Sequence, residues 1–436
     1  MDSKDGSRNH LPETKASPGE EEPCGKVALG GRTIKMPAEQ METLINKGAG
    51  RVPISGSLAS RLGLPRGATL NVKQQEGMIR LGPLVGIMTA SSKSASLFGE
   101  QEGYFRQLLK SLAGLNGFGY IFMPSGIEWE GPSITGYYTG RSGGWQKARF
   151  PLPDAIYNRC LTGSGKSTAA LSRLSALGVK SFNTRLGSKW HVYQLLKNSR
   201  PALTCLPETL LWDSPETLEQ MLKNHHDVYV KSLDGHLGRG IYRISRAQAG
   251  YRVQRTGEVR GRQVGSVKRI VQMYGLDKRY GKLIVQKSIK PGRSGNHFDI
   301  RVLVQKDGQG CWRLTGMAVR MGRIGQITTN LHTGGRAESL EKALRLKGYN
   351  AARTFKVKQA LENTALQIAK ALEPTTDNLG ELGLDFVLDA EGRPWFLEAN
   401  PRAGRRSFAH MSLNTRRRAV RRPMEYACYL AGFKLA

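Results

Sequence analysis

Cysteines are few in this chain and long apolar runs are lacking, and each of these features argues against certain classes of protein. The five cysteines are widely separated and include no CxxC pair, which argues against a disulfide framework or a zinc site built on paired cysteines. No apolar run approaches the roughly 18 residues of a membrane-spanning helix, and residues 1–25 lack the hydrophobic segment of a secretion signal. We therefore expect a cytoplasmic protein with reduced thiols and no membrane span. Residues 1–25 are predicted to be a disordered tail.

Acidic residues are also few. The chain has 66 Lys and Arg against 35 Asp and Glu, a formal net charge of +31. Between Pro401 and Arg422 there are eight arginines and no acid. Such a surface attracts polyanions, which include an acidic polymer substrate, anionic lipid and, without sequence specificity, nucleic acid. Arg416–Arg418 is equally well explained as solvated surface.

The length and composition favour an α/β protein of two or three domains, since 436 residues with 52 glycines allow a large core and many loops. Residues 26–85 alternate short strands with turns and predict a small β-rich domain. Residues 86–180 alternate strands with helices, which predicts an open parallel sheet. Residues 181–436 predict a larger α+β domain with a helix near Val357–Leu372.

Residues 383–400 predict a metal-binding β-hairpin. Two alternating apolar runs flank a four-residue loop, Ala390–Arg393. If Asp389 faces Pro394, then Asp385 lies opposite Glu398, and the strand period of two puts Asn400 on the same side. The apolar residues expected on the other face are Phe386, Leu388, Trp395 and Leu397. Oxygen donors without His or Cys suit Mg²⁺.

The segment Cys160–Thr168 is similar to a phosphate-binding P-loop, because it contains Gly-Lys-Ser-Thr between a predicted strand and a predicted helix. The P-loop consensus, however, needs glycine at the position of Cys160. No strand ending in Asp follows nearby. The alternatives are a Gly/Ser-rich loop that caps a helix and a nucleic-acid-binding P-loop NTPase.

A second glycine loop is better placed to contact phosphates. It joins the predicted strands 227–231 and 241–244 and contains Gly235, Gly238 and Gly240. Its bare backbone can approach phosphates closely, and Lys231 at the strand end supplies a positive charge. Lys189, in a helix opened by Ser188, is a second candidate phosphate ligand.

The strands that follow carry further polar residues. Gln286 lies in a predicted strand, and Asp299 and Arg301 share one face of the next. Arg320 ends another strand, and a polar loop at 328–335 contains Asn330 and His332. Taken singly, each arginine is more often a surface residue than a ligand.

Together these residues resemble the ATP-grasp superfamily and, within it, the endospore coat-associated YheC/YheD-like group. The resemblance spans roughly residues 80 to 430. The segments that carry it are Pro153–Arg159, Leu206–Thr209, Asp299–Arg301 and Thr329–Gly335. One departure is Gln286, where adenine-binding hinges of the superfamily often have Glu.

The resemblance implies a role for each candidate. Lys189 and Lys231, with the glycine loop, would hold ATP phosphates, and the backbone from Gln286 to Ile289 would receive the adenine. Asp299 would contact the ribose, and Arg301 and Arg320 the γ-phosphate or an acyl phosphate. The implied ligands of one or two Mg²⁺ ions are Asp385, Glu398 and Asn400. The candidate substrate-binding residues are Asn330, His332, Arg402 and Arg405.

These observations predict an ATP-grasp fold and a Mg-ATP-dependent carboxylate–amine ligase. ATP would phosphorylate a carboxylate and an amine would attack the acyl phosphate, which needs no covalent enzyme nucleophile. The arginine cluster favours an acidic peptide or polymer as substrate. The alternatives are a spore-coat structural protein that binds nucleotide without turnover and the P-loop NTPase.

Overall fold

The computed structural model describes residues 24–46, 50–91, 96–140, 142–160, 165–183, 185–235, 240–279, 281–290, 298–329, 335–375, 378–404, 406–408 and 411–434. Within these ranges the strands form four sheets. The five cysteines, all of them described, are free thiols. No helix in the described ranges is both long and apolar enough to cross a membrane.

The first sheet is small and lies in the region predicted to be β-rich. Its strands are β1 (Cys24–Leu29), β2 (Arg32–Pro37), β3 (Arg51–Pro53), β4 (Thr69–Gln75) and β5 (Met78–Gly82), in the order β2-β1-β5-β4-β3. Gly30–Gly31 and Glu76–Gly77 make the turns of its two tight hairpins, as their sequence suggests. Two helices that the sequence did not reveal, α1 (Ala38–Asn46) and α2 (Gly56–Leu62), connect the strands.

The second sheet is only partly parallel, so the prediction of an open parallel sheet is wrong at one edge. Its strands are β6 (Leu84–Met88), β7 (Phe118–Glu128), β8 (Ser133–Thr139), β9 (Trp145–Pro151), β10 (Ala155–Asn158) and β11 (Lys180–Phe182), and its helices are α3 (Glu102–Ala113) and α4 (Gly165–Ala176). The strand order is β11-β10-β6-β7-β8-β9, with β8 and β9 antiparallel. Residues 129–132 and 140–144 are too short for the crossover that a parallel pair requires.

The third sheet is antiparallel and has helices on it. Its strands are β12 (Thr209–Leu211), β13 (Asp227–Ser232), β14 (Tyr242–Arg246), β15 (Tyr251–Arg255), β16 (Arg262–Val264) and β17 (Leu283–Lys287), in the order β12-β17-β13-β14-β15-β16. The helices of this part are α5 (Lys189–Lys197), α6 (Arg200–Leu203), α7 (Pro215–His225) and α8 (Val267–Tyr274). The predicted glycine hairpin is confirmed as the antiparallel pair β13–β14.

The fourth sheet positions most of the candidate site. Its strands are β18 (Phe298–Lys306), β19 (Trp312–Met321), β20 (Arg336–Ser339), β21 (Glu381–Leu388) and β22 (Pro394–Asn400), in the order β20-β19-β18-β21-β22, and its helices are α9 (Leu340–Leu346), α10 (Ala351–Leu372) and α11 (Leu413–Leu430). One face of β18 presents Ile300, Val302 and Val304 to the core formed with α10. Asp299 and Arg301 lie on its other face, as predicted from the alternation.

Two helices differ from the sequence analysis. The predicted helix near Val357–Leu372 is confirmed but begins earlier, at Ala351, where Asn350 caps it by accepting a hydrogen bond from Arg353 N at 2.8 Å. The arginine-rich segment around Arg416–Arg418 forms helix α11, which the sequence analysis did not predict. Arg416, Arg417 and Arg418 are exposed on it, so this part of the basic run is solvated surface.

Asn183 connects the second and fourth sheets. It is fully buried, has a φ of 62°, and its Oδ1 accepts hydrogen bonds from Gly380 N at 3.0 Å and Glu381 N at 2.9 Å. Asparagine tolerates this left-handed conformation better than most residues. The side chain therefore holds the start of β21 against the end of β11.

We predict that Asn183→Ala lowers the free energy of unfolding by about 2–4 kcal/mol, because two buried N–H groups lose their acceptor and alanine is strained at a positive φ. Urea unfolding measures the change. The control is Asn414→Ala, which removes an exposed asparagine from α11 and should leave the midpoint unchanged. Equal midpoints for the two variants would contradict this role of Asn183.

Candidate active site

A cleft of about 940 Å³ lies where the third and fourth sheets meet the end of the second. The sequence-predicted site residues that line it are Lys189, Lys231, Gly235, Gln286, Ile289, Asp299, Arg301, Arg320, Asp385, Glu398, Asn400 and Arg402. The structure thus brings together residues that are more than 200 positions apart in the chain.

Other predicted residues are placed elsewhere or lie outside the described ranges. Gly240, with a φ of 67°, does not line the cleft, whereas the next residue, Ile241, does. Gly238, Asn330, His332 and Arg405 fall outside the described residues. Their roles stay predictions from the sequence.

The β21–β22 hairpin has the pairing on which the metal prediction depends. Asp385 lies directly opposite Glu398, and Asn400 lies opposite Gly383. Asn400 Nδ2 donates a hydrogen bond of 3.1 Å to Glu398 Oε1. The three predicted oxygen donors therefore lie at one end of the hairpin and line the same cleft.

The hairpin differs from the prediction in its loop. Leu388, not Asp389, pairs with Pro394, so the loop is one residue longer than predicted. Asp389 causes this, because its Oδ1 accepts hydrogen bonds from Glu391 N at 3.1 Å and Arg393 N at 2.8 Å and closes the loop below the strands. A bulge between Asp385 and Phe386 offsets the change and restores the Asp385–Glu398 pair.

Because of the bulge, the side chains on the apolar face of the hairpin differ from those predicted. Phe396 packs with Phe386 in the core, their ring centroids 6.0 Å apart. Trp395 is half-buried and donates to Asp389 Oδ2 at 2.9 Å, while Leu397 lines the cleft. The assignment of Trp395 and Leu397 to the core face was therefore wrong, because the extra residue reverses the alternation between Pro394 and Leu397.

A buried network of two acids and two arginines forms the floor of the cleft. Asp385 pairs with Arg301 on the adjacent strand, with Arg301 Nη2 at 2.8 Å from Asp385 Oδ2. Arg320 Nη2 lies 2.7 Å from Asp299 Oδ2 and 2.8 Å from Asp385 Oδ2. The strand register explains the network, because β18 places Asp299 opposite Arg320 and Arg301 opposite Asp385.

This network decides the charge of Asp385. Burial alone raises the pKa of its carboxyl group, but the positive charges of Arg301 and Arg320 outweigh burial and hold the pKa below its ordinary value. Although burial acts in the opposite direction, Asp299 and Asp385 raise the pKa of Arg320 well above its ordinary value. Asp385 is therefore an anion throughout the neutral pH range.

The donor set fits a hard divalent cation that shares its shell with phosphates. Asp385 is buried, whereas the Glu398 side chain is 35% exposed to the cleft. Among the described residues no group of three or more His, Cys, Asp or Glu side chains could hold a metal ion. Two carboxylates and one amide leave coordination positions for phosphate oxygens and water, which is the usual arrangement of Mg²⁺ in nucleotide sites.

The two predicted phosphate lysines also line the cleft. Lys231 Nζ donates to Gln286 Oε1 at 2.6 Å, and Gln286 Nε2 donates to Thr209 Oγ1 at 3.0 Å. Lys189 Nζ donates to the carbonyl of Gly235 at 2.7 Å and lies 3.9 Å from Glu398 Oε2. Lys189 therefore connects the described part of the glycine loop with the β21–β22 hairpin.

The P-loop-like segment contributes no described residue to this cleft. Leu161–Ser164 lies outside the described residues, and α4 begins at Gly165. Lys166 is exposed on that helix and is not among the residues that line the cleft.

Sequence reasoning missed several residues from helix α3 and from the segments that follow β10 and β11. Tyr104, Arg159 and Arg185 line the end of the cleft beyond the hairpin. Arg159 lies in the Pro153–Arg159 segment of the resemblance, but no pattern assigned it a role. The available signal was an arginine directly after the short strand Ala155–Asn158, whose first three residues are apolar; the whole strand and Arg159 are buried.

Comparison with known proteins identifies the family. Residues 178–430 match the family described as YheC/D-like ATP-grasp. The chain belongs to this family.

Two relatives and one solved structure illustrate the relationship. The chain is 28% identical to the endospore coat-associated protein YheD of Bacillus subtilis (strain 168) over 394 residues, covering 87% of this chain and 86% of YheD. It is 25% identical to YheC of the same organism over 311 residues, covering 67% of this chain and 82% of YheC. The ATP-grasp ligase PsnB, solved with a phosphomimetic variant of its minimal precursor, Mg and ADP, is 16% identical with a TM-score of 0.45, covering 80% of this chain and 99% of PsnB.

The predicted ATP-grasp fold is thus confirmed, and the cleft lies largely in the part that matches the family. Within this YheC/D-like ATP-grasp chain, Lys231 at the cleft has a strongly lowered pKa. The pKa falls from the ordinary 10.5 to about 8, chiefly because the side chain is buried. Lys189 contributes to the lowering, whereas Glu398, Asp385 and Asp299 oppose it.

We predict that Glu398→Gln lowers the pKa of Lys231 further, because the neutral amide no longer favours the ammonium form. Lys189→Met should raise it by removing a like charge. NMR titration of ¹³C-methylated lysines measures both changes, with Lys231→Arg to assign the signal. The control Glu391→Gln, an exposed acid of the same hairpin, should change nothing. An upward shift in Glu398→Gln would contradict the assigned electrostatics.

Proposed function

We propose that this chain is a Mg-ATP-dependent carboxylate–amine ligase that acts through an acyl phosphate. A carboxylate oxygen attacks the γ-phosphorus of ATP, the bond to the β-phosphate oxygen breaks, and ADP leaves. An amine then attacks the acyl carbon, phosphate leaves with its bonding electrons, and the amine proton passes to solvent. The observation that carries the proposal is the convergence of two lysines, two arginines and three oxygen donors on one cleft.

The chain's own groups would position and neutralise the phosphates. Lys189 and Lys231 face the cleft with the described part of the glycine loop, and each has a single positive charge suited to phosphate oxygens. The backbone from Gln286 to Ile289 would bind the adenine. Arg301 and Arg320 are held in fixed orientations by Asp385 and Asp299 and would stabilise charge on the transferred phosphoryl group.

Asp299 would have two roles in this arrangement. It accepts hydrogen bonds from Arg320 and from the hydroxyl of Thr329, so it orients Arg320 as well as being the residue predicted to contact the ribose. Asp385, Glu398 and Asn400 would hold one or two Mg²⁺ ions. When bound, Mg²⁺ supplies charge neutralisation and alignment of the phosphate oxygens.

We further propose an acidic peptide or polymer as the substrate and the endospore coat as the place of action. Arg402 lines the cleft directly after the hairpin, within the run of eight arginines that contains no acid. The names of the relatives YheD and YheC, endospore coat-associated proteins, support the location. Those names also favour a second candidate, a coat protein that binds Mg-ATP without turnover.

Incubation with Mg-ATP, pooled amino acids and acidic peptides distinguishes the two candidates. The ligase should release ADP only when a carboxylate and an amine are both present, and mass spectrometry should find a new amide. Binding of Mg-ATP without ADP or amide would support the structural role instead.

We predict that Glu398→Ala lowers Mg-ATP turnover at least about 100-fold, because the loss of a metal ligand removes charge stabilisation at the phosphates. The thermal unfolding midpoint should stay unchanged, since the side chain is one-third exposed. Glu391→Ala, in the exposed loop of the same hairpin, is the control and should retain wild-type turnover. ADP formation at the wild-type rate by folded Glu398→Ala protein would refute the metal site.

We predict that Lys231→Ala weakens ATP binding by about 10- to 100-fold, because a charge-assisted hydrogen bond to phosphate is lost. Lys166→Ala should bind ATP like the wild type, since Lys166 is an exposed residue of α4. Calorimetric titration of ATP into both variants gives the two affinities. The reverse pattern would favour the P-loop and overturn the ATP-grasp site.

A further inference from the structure

The cleft continues past the metal hairpin to the second sheet, where the next arginine crosses between two parts of the fold. Arg402 lies two residues after Asn400 and lines the cleft. Its Nη1 donates to the carbonyl oxygen of Cys160, which lies just beyond β10. This end of the cleft therefore has one wall from the ATP-grasp hairpin and one from the preceding sheet.

The environment of Arg402 is unfavourable for a cation. Its Nε atom is buried and has no hydrogen-bond partner, and its side chain has no carboxylate partner, among the residues that the structure describes. Arg159 and Arg185 line the same cleft and add positive charge rather than an anion. Burying a guanidinium without an anion costs free energy.

Arg159 lines the same cleft and is held by three contacts. Its Nη1 lies 3.3 Å from Glu381 Oε1, and its Nη2 donates to Gln101 Oε1 at 3.4 Å. Its guanidinium carbon lies 5.3 Å from the centre of the Tyr104 ring. These contacts fix the direction in which Arg159 faces the cleft.

The neighbouring acids do not neutralise the guanidinium group of Arg402. Glu381 is engaged by Arg159, and Asp234 lies 3.8 Å from the more exposed Arg185. Glu100 also lines this end but is exposed. The positive charge of Arg402 is thus left for an anion that is not part of the described chain, and a guanidinium fork binds a carboxylate through two parallel hydrogen bonds.

We propose that Arg159 and Arg402 form a subsite for the second carboxylate of a dicarboxylic substrate unit, such as a glutamyl residue. The inference rests on the proposed ligase function, because the first carboxylate is the one activated beside Glu398. Arg402 is two residues from Asn400, so their Cα atoms are at most about 7 Å apart, and Glu398, Asn400 and Arg402 all line the same cleft. The preceding sheet would thereby select the substrate, while the ATP-grasp sheets bind the nucleotide.

Calorimetric titration of triglutamate, with triglutamine as the uncharged comparison, tests the subsite in the absence of nucleotide. The wild type should bind triglutamate and not triglutamine. Arg402→Gln and Arg159→Lys should each weaken triglutamate binding by about 10- to 100-fold, because one charged hydrogen-bonding fork is lost. Arg159→Lys keeps a positive charge beside Glu381, so a loss of binding in the folded variant reports the lost fork.

Two controls make the result specific. Arg417→Gln removes an exposed arginine of the same basic run and should bind triglutamate like the wild type. The affinity of all three variants for Mg-ATP should stay within about twofold of the wild type. In a separate assay with Mg-ATP, triglutamate and pooled amino acids, a lack of ADP formation despite triglutamate binding would contradict the ligase but leave the subsite standing.

Three outcomes would overturn the subsite. The first is no binding of triglutamate to the wild type, and the second is unchanged binding in both Arg402→Gln and Arg159→Lys. The third is a single-stranded oligonucleotide whose binding depends on Arg402 while that of triglutamate does not, since the arginines would then bind phosphate of a nucleic acid.

Discussion

The candidate site depends on one constraint, which is the pairing of buried charges across the β18, β19 and β21 strands. Arg301 and Asp385, and Arg320 and Asp299, are nearly inaccessible to solvent, and each would be costly to bury alone. Because strand register decides which residues meet, a shift of one residue would leave all four without partners. The network therefore restricts β18, β19 and β21 to one register and fixes the position of Asp385, and the β21–β22 pairing places Glu398 opposite it.

Strand β21 has a second acid that pairs with an arginine, at the other end of the cleft. Glu381 and Asp385 are four residues apart and so lie on one face of the strand. Asp385 pairs with Arg301 inside the fourth sheet, whereas Glu381 pairs with Arg159 of the preceding sheet at 3.3 Å and accepts a hydrogen bond from Gln305 at 2.6 Å. A single strand thus relates the proposed phosphate end of the cleft to the proposed carboxylate end.

The predictable parts of the site were those that depend on local alternation. The Asp385–Glu398 pair followed from the period of two, although the loop was one residue longer than predicted and a bulge corrected the register. Neither deviation can be read from the sequence. Asp389 closes the loop through side-chain hydrogen bonds, and the bulge accompanies the packing of Phe396 in the core. Helix α11 was missed because its arginines obscure the apolar face that Ala419 and Met424 bury. The role inferred for Arg159 required knowing which sheet edges meet.

The large positive charge of the chain divides into two physically different parts. Exposed arginines such as Arg417 act through solvent, where physiological salt screens them beyond about 8 Å, so they can attract a polyanion and speed its approach without choosing among acidic groups. Arg159 and Arg402 act inside a cleft, where desolvation strengthens each interaction and geometry matters. Net charge alone would thus favour any polyanion. Selection of a dicarboxylic unit depends on where two guanidinium groups are placed. Arg159 is held by its ion pair with Glu381, which lies on the same strand as Asp385, the partner of both proposed catalytic arginines.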